Sequence, residues 1–176
     1  MRRYLGDPAV RRGVYDGVVV AAALAVLVVW TNVLFPGGPN ESDSDPEYVR
    51  QILAVYAALA LLLAAIGAHG RPGAASAVDG VKAGAAAGLV VAALTMATFL
   101  VVDNVFFDVV SQQHDKVVSF AGSGWSSMRA WVNYQLLGGS LFVLPAGTAF
   151  GAVLGYLGGQ LRAGRRGNGC AANSGG

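Results

Sequence analysis

Residues 83–102 read AGAAAGLVVAALTMATFLVV, twenty consecutive positions without a charge, a proline or an amide. A hydrocarbon core about 30 Å thick is crossed by roughly 20 apolar residues of helix. Three further runs of the chain are also free of charge: 17–35, 52–68 and 130–161. Only 12% of the 176 residues are charged, about half the share of an ordinary soluble domain, and 55% are hydrophobic. A soluble bundle can bury one helix that is apolar all round, but not four of them. The sequence therefore predicts an all-α membrane protein, a four-helix transmembrane bundle.

Insertion energetics agree. Residues 17–35 hold seven Val, three Leu and one Phe, which contribute roughly −3 to −6 kcal/mol on the translocon scale, with no charge to oppose them. The run is too long for the apolar region of a signal peptide and lacks a small-x-small cleavage site, so it reads as an uncleaved anchor. The single cysteine, Cys170, lies in a Gly/Asn/Ser-rich segment and allows no intramolecular disulfide.

Charge sets the expected orientation. With the N-terminus inside, nine bases (Arg2, Arg3, Arg11, Arg12, Arg71, Lys82, Arg162, Arg165 and Arg166) fall on the cytoplasmic side. Only Arg50, Lys116 and Arg129 fall outside. Basic residues in short loops face the cytoplasm, so both termini are expected there, in a multi-pass protein of the plasma membrane. The terminal arginines would also attract anionic lipid headgroups.

The expected organisation is a basic cytoplasmic arm (1–13), a transmembrane domain (14–161) and a disordered cytoplasmic tail (162–176). The four spans are placed at about 17–35, 51–68, 81–102 and 134–161. Asp7-Pro8 reads as a turn. Asp45-Pro46-Glu47 reads as a helix start, with a cap, a proline at the first position and an acid in the first turn. A faint repeat pairs Asp16-Gly17-Val18 with Asp79-Gly80-Val81, and the Asn32 region with the Asn104 region. Duplication of a helical hairpin and chance in an Ala/Val/Leu-rich chain both remain open explanations.

Glycine gives the strongest local pattern. Gly147, Gly151, Gly155 and Gly159 recur every fourth residue on the fourth span, and Gly80, Gly84 and Gly88 do so on the third. This spacing keeps small residues on one face and lets another backbone approach, which is how helices associate in lipid. These seven glycines are the candidate interface residues. They would serve either a helix contact within the chain or a contact with a second copy or a partner membrane protein.

The segment 103–133 is too long for a turn. At 100° per residue, Val105, Phe106, Val109, Val110, Val117 and Phe120 gather on one side, opposite Asp103, Asp108, His114 and Asp115. This predicts an amphipathic helix at the membrane surface, or else a folded loop capping the bundle. The acids are expected as a solvated face, because their spacing on one straight helix is too wide to chelate an ion. Trp125, Trp131 and Tyr134 are expected as an interfacial aromatic belt.

No Asp, Glu, Lys, Arg or His falls inside the four uncharged runs, whereas ion-coupled carriers generally need an ionisable group within the membrane. No catalytic, cofactor-binding or metal-binding residues are assigned, and no nucleic-acid partner is expected. The expectation is a non-catalytic accessory or structural membrane component, with membrane lipids as its first partners. The alternative is an oligomeric channel or facilitator for small solutes, packed through the glycine stripes.

Overall fold

The computed structural model describes residues 6–34, 45–69 and 77–172, with side chains as far as Leu161. The helices are α1 (Pro8–Val29, continued by a π-helical turn at Trp30–Leu34), α2 (Pro46–Ala68) and α3 (Ala77–Val105). After these come α4 (Phe107–Val110), α5 (His114–Ala121) and α6 (Met128–Ala172). Every regular element among the described residues is helical. Four stretches are long and apolar enough to cross a membrane: Pro8–Leu34, Pro46–Ala68, Ala77–Val105 and Met128–Leu161. The chain is a multi-pass helical bundle of the integral-membrane type.

The distribution of side chains is that of a bundle in lipid. Large apolar groups such as Leu61, Leu141 and Phe142 point outward, more than 70% exposed, while Ala83, Ala87, Gly84 and Gly151 are buried between helices. Lipid tails are as apolar as leucine, so burying leucine adds little, and close backbone packing favours small residues instead.

The four spans alternate in direction. Gly13 of α1 meets Ala83, and Gly67 of α2 meets Gly155 of α6, which also faces Gly80 at the start of α3. The start of α1, the end of α2, the start of α3 and the Gly155 region of α6 therefore share one end of the bundle, the Lys82 end. The opposite end carries Asp103. Helix α3 is central, packed most extensively on α6 and next on α1, while α2 lies against α6 and α1 barely touches α2. At the Lys82 end all four spans contribute to one core, with Leu63, Ile66, Ala83 and Ala87 at its centre and Val20 and Leu154 against it. Toward the Asp103 end α2 leaves the bundle, since every residue from Pro46 to Ala58 except Val55 is exposed.

Several boundaries differ from the sequence reading. Residues 8–13, expected in a basic arm, are the first turns of α1: the Asp7 side chain caps the helix by accepting from the Ala9 N–H at 2.9 Å, with Pro8 at the first position. It is the same Asp-Pro signal that starts α2 at Asp45-Pro46. Helix α6 begins at Met128 and continues to Ala172, so residues 162–172 are helical in backbone where a disordered tail was expected. Residues 35–44 and 70–76 and the Cys170 thiol lie outside what is described.

The expected amphipathic helix is not one helix. The chain bends at Phe106 and again at Ser111–Gln113, giving α4 and α5 separately. Their apolar side chains differ in burial: Val110 of α4 is fully buried against Val28 and Val102, while Val117 of α5 is exposed. Among the aromatic residues, Trp131 is buried at 8% exposure with its ring 5.9 Å from Phe120. Only Trp125 and Tyr134, 5.2 Å apart, remain as an exposed pair.

Candidate functional site

The polar groups of the bundle converge at the Asp103 end. Asp103 closes the last turn of α3 and is 5% exposed, the one charged side chain buried among the described residues. The two bends after Val105 fold the chain back so that the Lys116 Nζ of α5 donates to Asp103 Oδ1 at 2.7 Å. The expectation of a solvated acidic face is corrected here for Asp103. A carboxylate in apolar surroundings is tolerated because an ammonium sits on it.

Amides extend this cluster. Asn104 and Asn133 exchange side-chain hydrogen bonds at 2.7 and 3.1 Å, tying α3 to α6. Gln113 Nε2 donates to Asn32 Oδ1 at 3.2 Å, tying the α4–α5 segment to the π-helical turn of α1. Asn32 and Asn104, paired in the faint repeat, each also donate to the carbonyl four residues back, at 2.9 and 2.8 Å. The Arg129 guanidinium donates to the Asn104 carbonyl at 3.2 Å and lies 4.4 Å over the Phe107 ring. Among the described residues, no three His, Cys, Asp or Glu side chains come together with the geometry of a metal site.

At the Lys82 end, Asp7 accepts from Lys82 Nζ at 2.7 Å and so joins α1 to α3. The Lys82 hydrogen bond first, then the Ala9 N–H, holds the Asp7 carboxyl below its ordinary range. Asp16, in the third turn of α1, pairs with Arg12 one turn earlier at 3.6 Å.

Between the ends, α3 and α6 meet through their glycines. Gly80, Gly84 and Gly88 face Gly155, Gly151 and Gly147 in antiparallel register. A Cβ added to Gly84 would lie 2.9 Å from Gly155 Cα and closer still to the Gly151 carbonyl oxygen. One added to Gly151 would lie 3.0 Å from Gly88 Cα and closer still to the Gly84 oxygen. Gly159 is buried, and the close approach of α6 to α2 is made by Gly155, against Gly67, and by Gly158, whose Cβ would meet the Ala64 carbonyl and Ala68 N. Sequence reasoning missed Gly158 and also Gly13 and Gly17, which bring α1 onto the backbone of Ala83 and Ala87. The signal was available: Gly13, Gly17 and Ala21 have the same four-residue spacing.

The spans hold few polar side chains, and most are bonded to their own helix. Thr98, Ser140 and Thr148 donate to Leu94, Leu137 and Leu144 carbonyls at 2.8, 2.6 and 2.8 Å. Thr95 Oγ1 is buried without a hydrogen-bond partner. The chain matches no protein-family model, no curated protein and no solved structure, so its function is argued from its own chemistry.

Proposed function

We propose that this chain is a non-catalytic accessory or structural component of the plasma membrane, both termini in the cytoplasm, acting through its contacts with lipid and with a partner membrane protein. The observation that carries the reading is the way its polar groups are used. Asp103 is neutralised by the chain's own Lys116, and the amides at that end bond one another. Thr98, Ser140 and Thr148 are turned to backbone carbonyls. A coupled carrier needs a group that changes charge along a path through the membrane, and a hydrolase needs a nucleophile beside its base. The oligomeric channel alternative relies on glycine stripes free to receive a second copy. Gly84 and Gly151 already meet within one chain.

The test is reconstitution in liposomes with internal pH and sodium followed under imposed gradients. No gradient-driven solute accumulation is expected. Accumulation that disappears in Asp103→Asn would overturn the accessory reading, and saturable passive leakage would favour the channel.

Orientation rests on the charge bias. The Lys82 end also receives Pro8 and Leu161, so the excess of bases near the termini favours that end as cytoplasmic. In a Cys170→Ser background, a cysteine at the exposed position Ser119 is expected to react with an impermeant thiol reagent in intact cells. Reaction only after cell lysis would reverse the orientation.

A further inference from the structure

Helix α5 buries no residue of its own. Contacts that tie the segment from Phe107 to Ala121 to the bundle include Val110, Gln113, Lys116, the Phe107 ring under Arg129 and the Phe120 ring beside Trp131, and of these side chains on the segment Val110 is the one fully buried in the core. The group it covers is unusual for this protein: a carboxylate, on Asp103, only 5% exposed at a helix mouth. Lys116 itself keeps a quarter of its side chain exposed, so its ammonium enters from the surface side. The binding element is mostly on the bundle, then, and the charge that fills it is supplied by a thinly attached segment.

We propose that the α4–α5 segment is a displaceable cap, and that Asp103 is a built acceptor for a primary ammonium group, occupied in cis by Lys116. Closure is set by the seated charge. With Lys116 in place, Val110 is held against Val28 and Val102, and Gln113 stays within reach of Asn32 on the π-helical turn. Such turns often mark positions where a helix adapts to function. With the ammonium gone, Val110, the Gln113–Asn32 hydrogen bond and the ring contacts of Phe107 and Phe120 must hold the segment over an uncompensated carboxylate, and the cap opens. The acceptor then presents to an amine-bearing solute or headgroup the same geometry that Lys116 uses.

The experiment uses the full chain in mild detergent, with Cys170→Ser and a single reporter thiol, Val102→Cys, on α3 where Val110 of the cap packs over it and the parent side chain is 1% exposed. A second reporter, Leu63→Cys, is made separately in the core at the Lys82 end, where Leu63 is 2% exposed. The cap reporter is expected to label slowly in the parent and at least tenfold faster after Lys116→Ala, while the core reporter stays protected in both. Propylammonium matches the atoms that Lys116→Ala removes and is expected to return the cap reporter toward the parent rate. Propanol and sodium chloride at equal concentration are expected to leave it fast, and Asp103→Asn/Lys116→Ala should show no response to propylammonium. Equal labelling of the cap reporter in parent and Lys116→Ala would overturn the proposal, because apolar packing at position 110 would then hold the cap. Protection by propanol, or simultaneous exposure of the core reporter, would overturn it too, by showing that bulk or overall loosening governs the change.

Discussion

Gly151→Ala is expected to lower stability in detergent by about 3 kcal/mol, the upper part of the range for overpacking a tight core. The obstacle decides the size. The new methyl would meet the carbonyl of Gly84 and lie 3.0 Å from Gly88 Cα, all backbone of the facing helix. No rotamer change relieves that contact, and α3 and α6 must separate along the most extensive interface in the protein. Gly147→Ala should be milder, because its nearest neighbour is the Ala92 methyl at 2.9 Å. Gly138→Ala, two turns earlier on α6 than Gly147, should be neutral or stabilising: its Cβ meets nothing within 4 Å, and alanine favours helix over glycine by up to about 1 kcal/mol. Thermal unfolding of the three variants in one detergent gives the order directly. Equal losses at Gly151 and Gly138 would mean that the stripe does not pack as described.

The comparison between these glycines also shows what sequence could and could not convey. Four apolar stretches were legible because the bilayer imposes a length, and 83–102 meets it without interruption. Gly147, Gly151 and Gly155 stood out because spacing of four is visible without knowing the partner. Gly138 looks equally small in the sequence, yet faces open space. Which small residue meets which backbone depends on the crossing of α3 and α6, and composition does not encode that. Gly13 went unread for a different reason. The bases around it suggested an arm, and that outweighed the helix start that Asp7-Pro8 encodes.

The polar end was the least legible part. Residues 103–121 contain no proline and no glycine, so nothing local announces the bends at Phe106 and Ser111–Gln113. Periodicity read this segment as one straight helix and put Asp103 on its wet face. Tertiary contacts reverse both readings: burial of Val110 turns the chain, and the turn brings Lys116 onto Asp103. The amides at Asn32 and Asn104 were noticed only as matching ends of a repeat. Their partners, Gln113 and Asn133, are 81 and 29 residues away, beyond any spacing rule.

The Asp103–Lys116 pair gives the second large effect. Lys116→Met should destabilise the protein by about 3 kcal/mol, the lower end for breaking a buried ion pair, since a quarter of the lysine side chain is exposed. The loss comes mainly from the carboxylate left without its counter-charge, which must either stay buried unpaired or be hydrated by opening the segment over it, and less from the contact itself. Replacing both partners with groups of similar volume should therefore recover most of it, so that Asp103→Leu/Lys116→Met is more stable than Lys116→Met alone. A surface pair behaves differently. Arg50 and Glu47 also form an ion pair, but their side chains are 74% and 67% exposed, and Arg50→Met should change stability by less than about 1 kcal/mol. Equilibrium unfolding by titration with a denaturing detergent, followed by circular dichroism, would place all four proteins on one scale. With Asp103→Leu added, the double-mutant cycle isolates the interaction, because Asp103 and Lys116 share no third charged partner among the described ion pairs. If the double variant were as unstable as Lys116→Met, the lysine stem would be acting as packing, and charge at the mouth of α3 would not be what holds this end together.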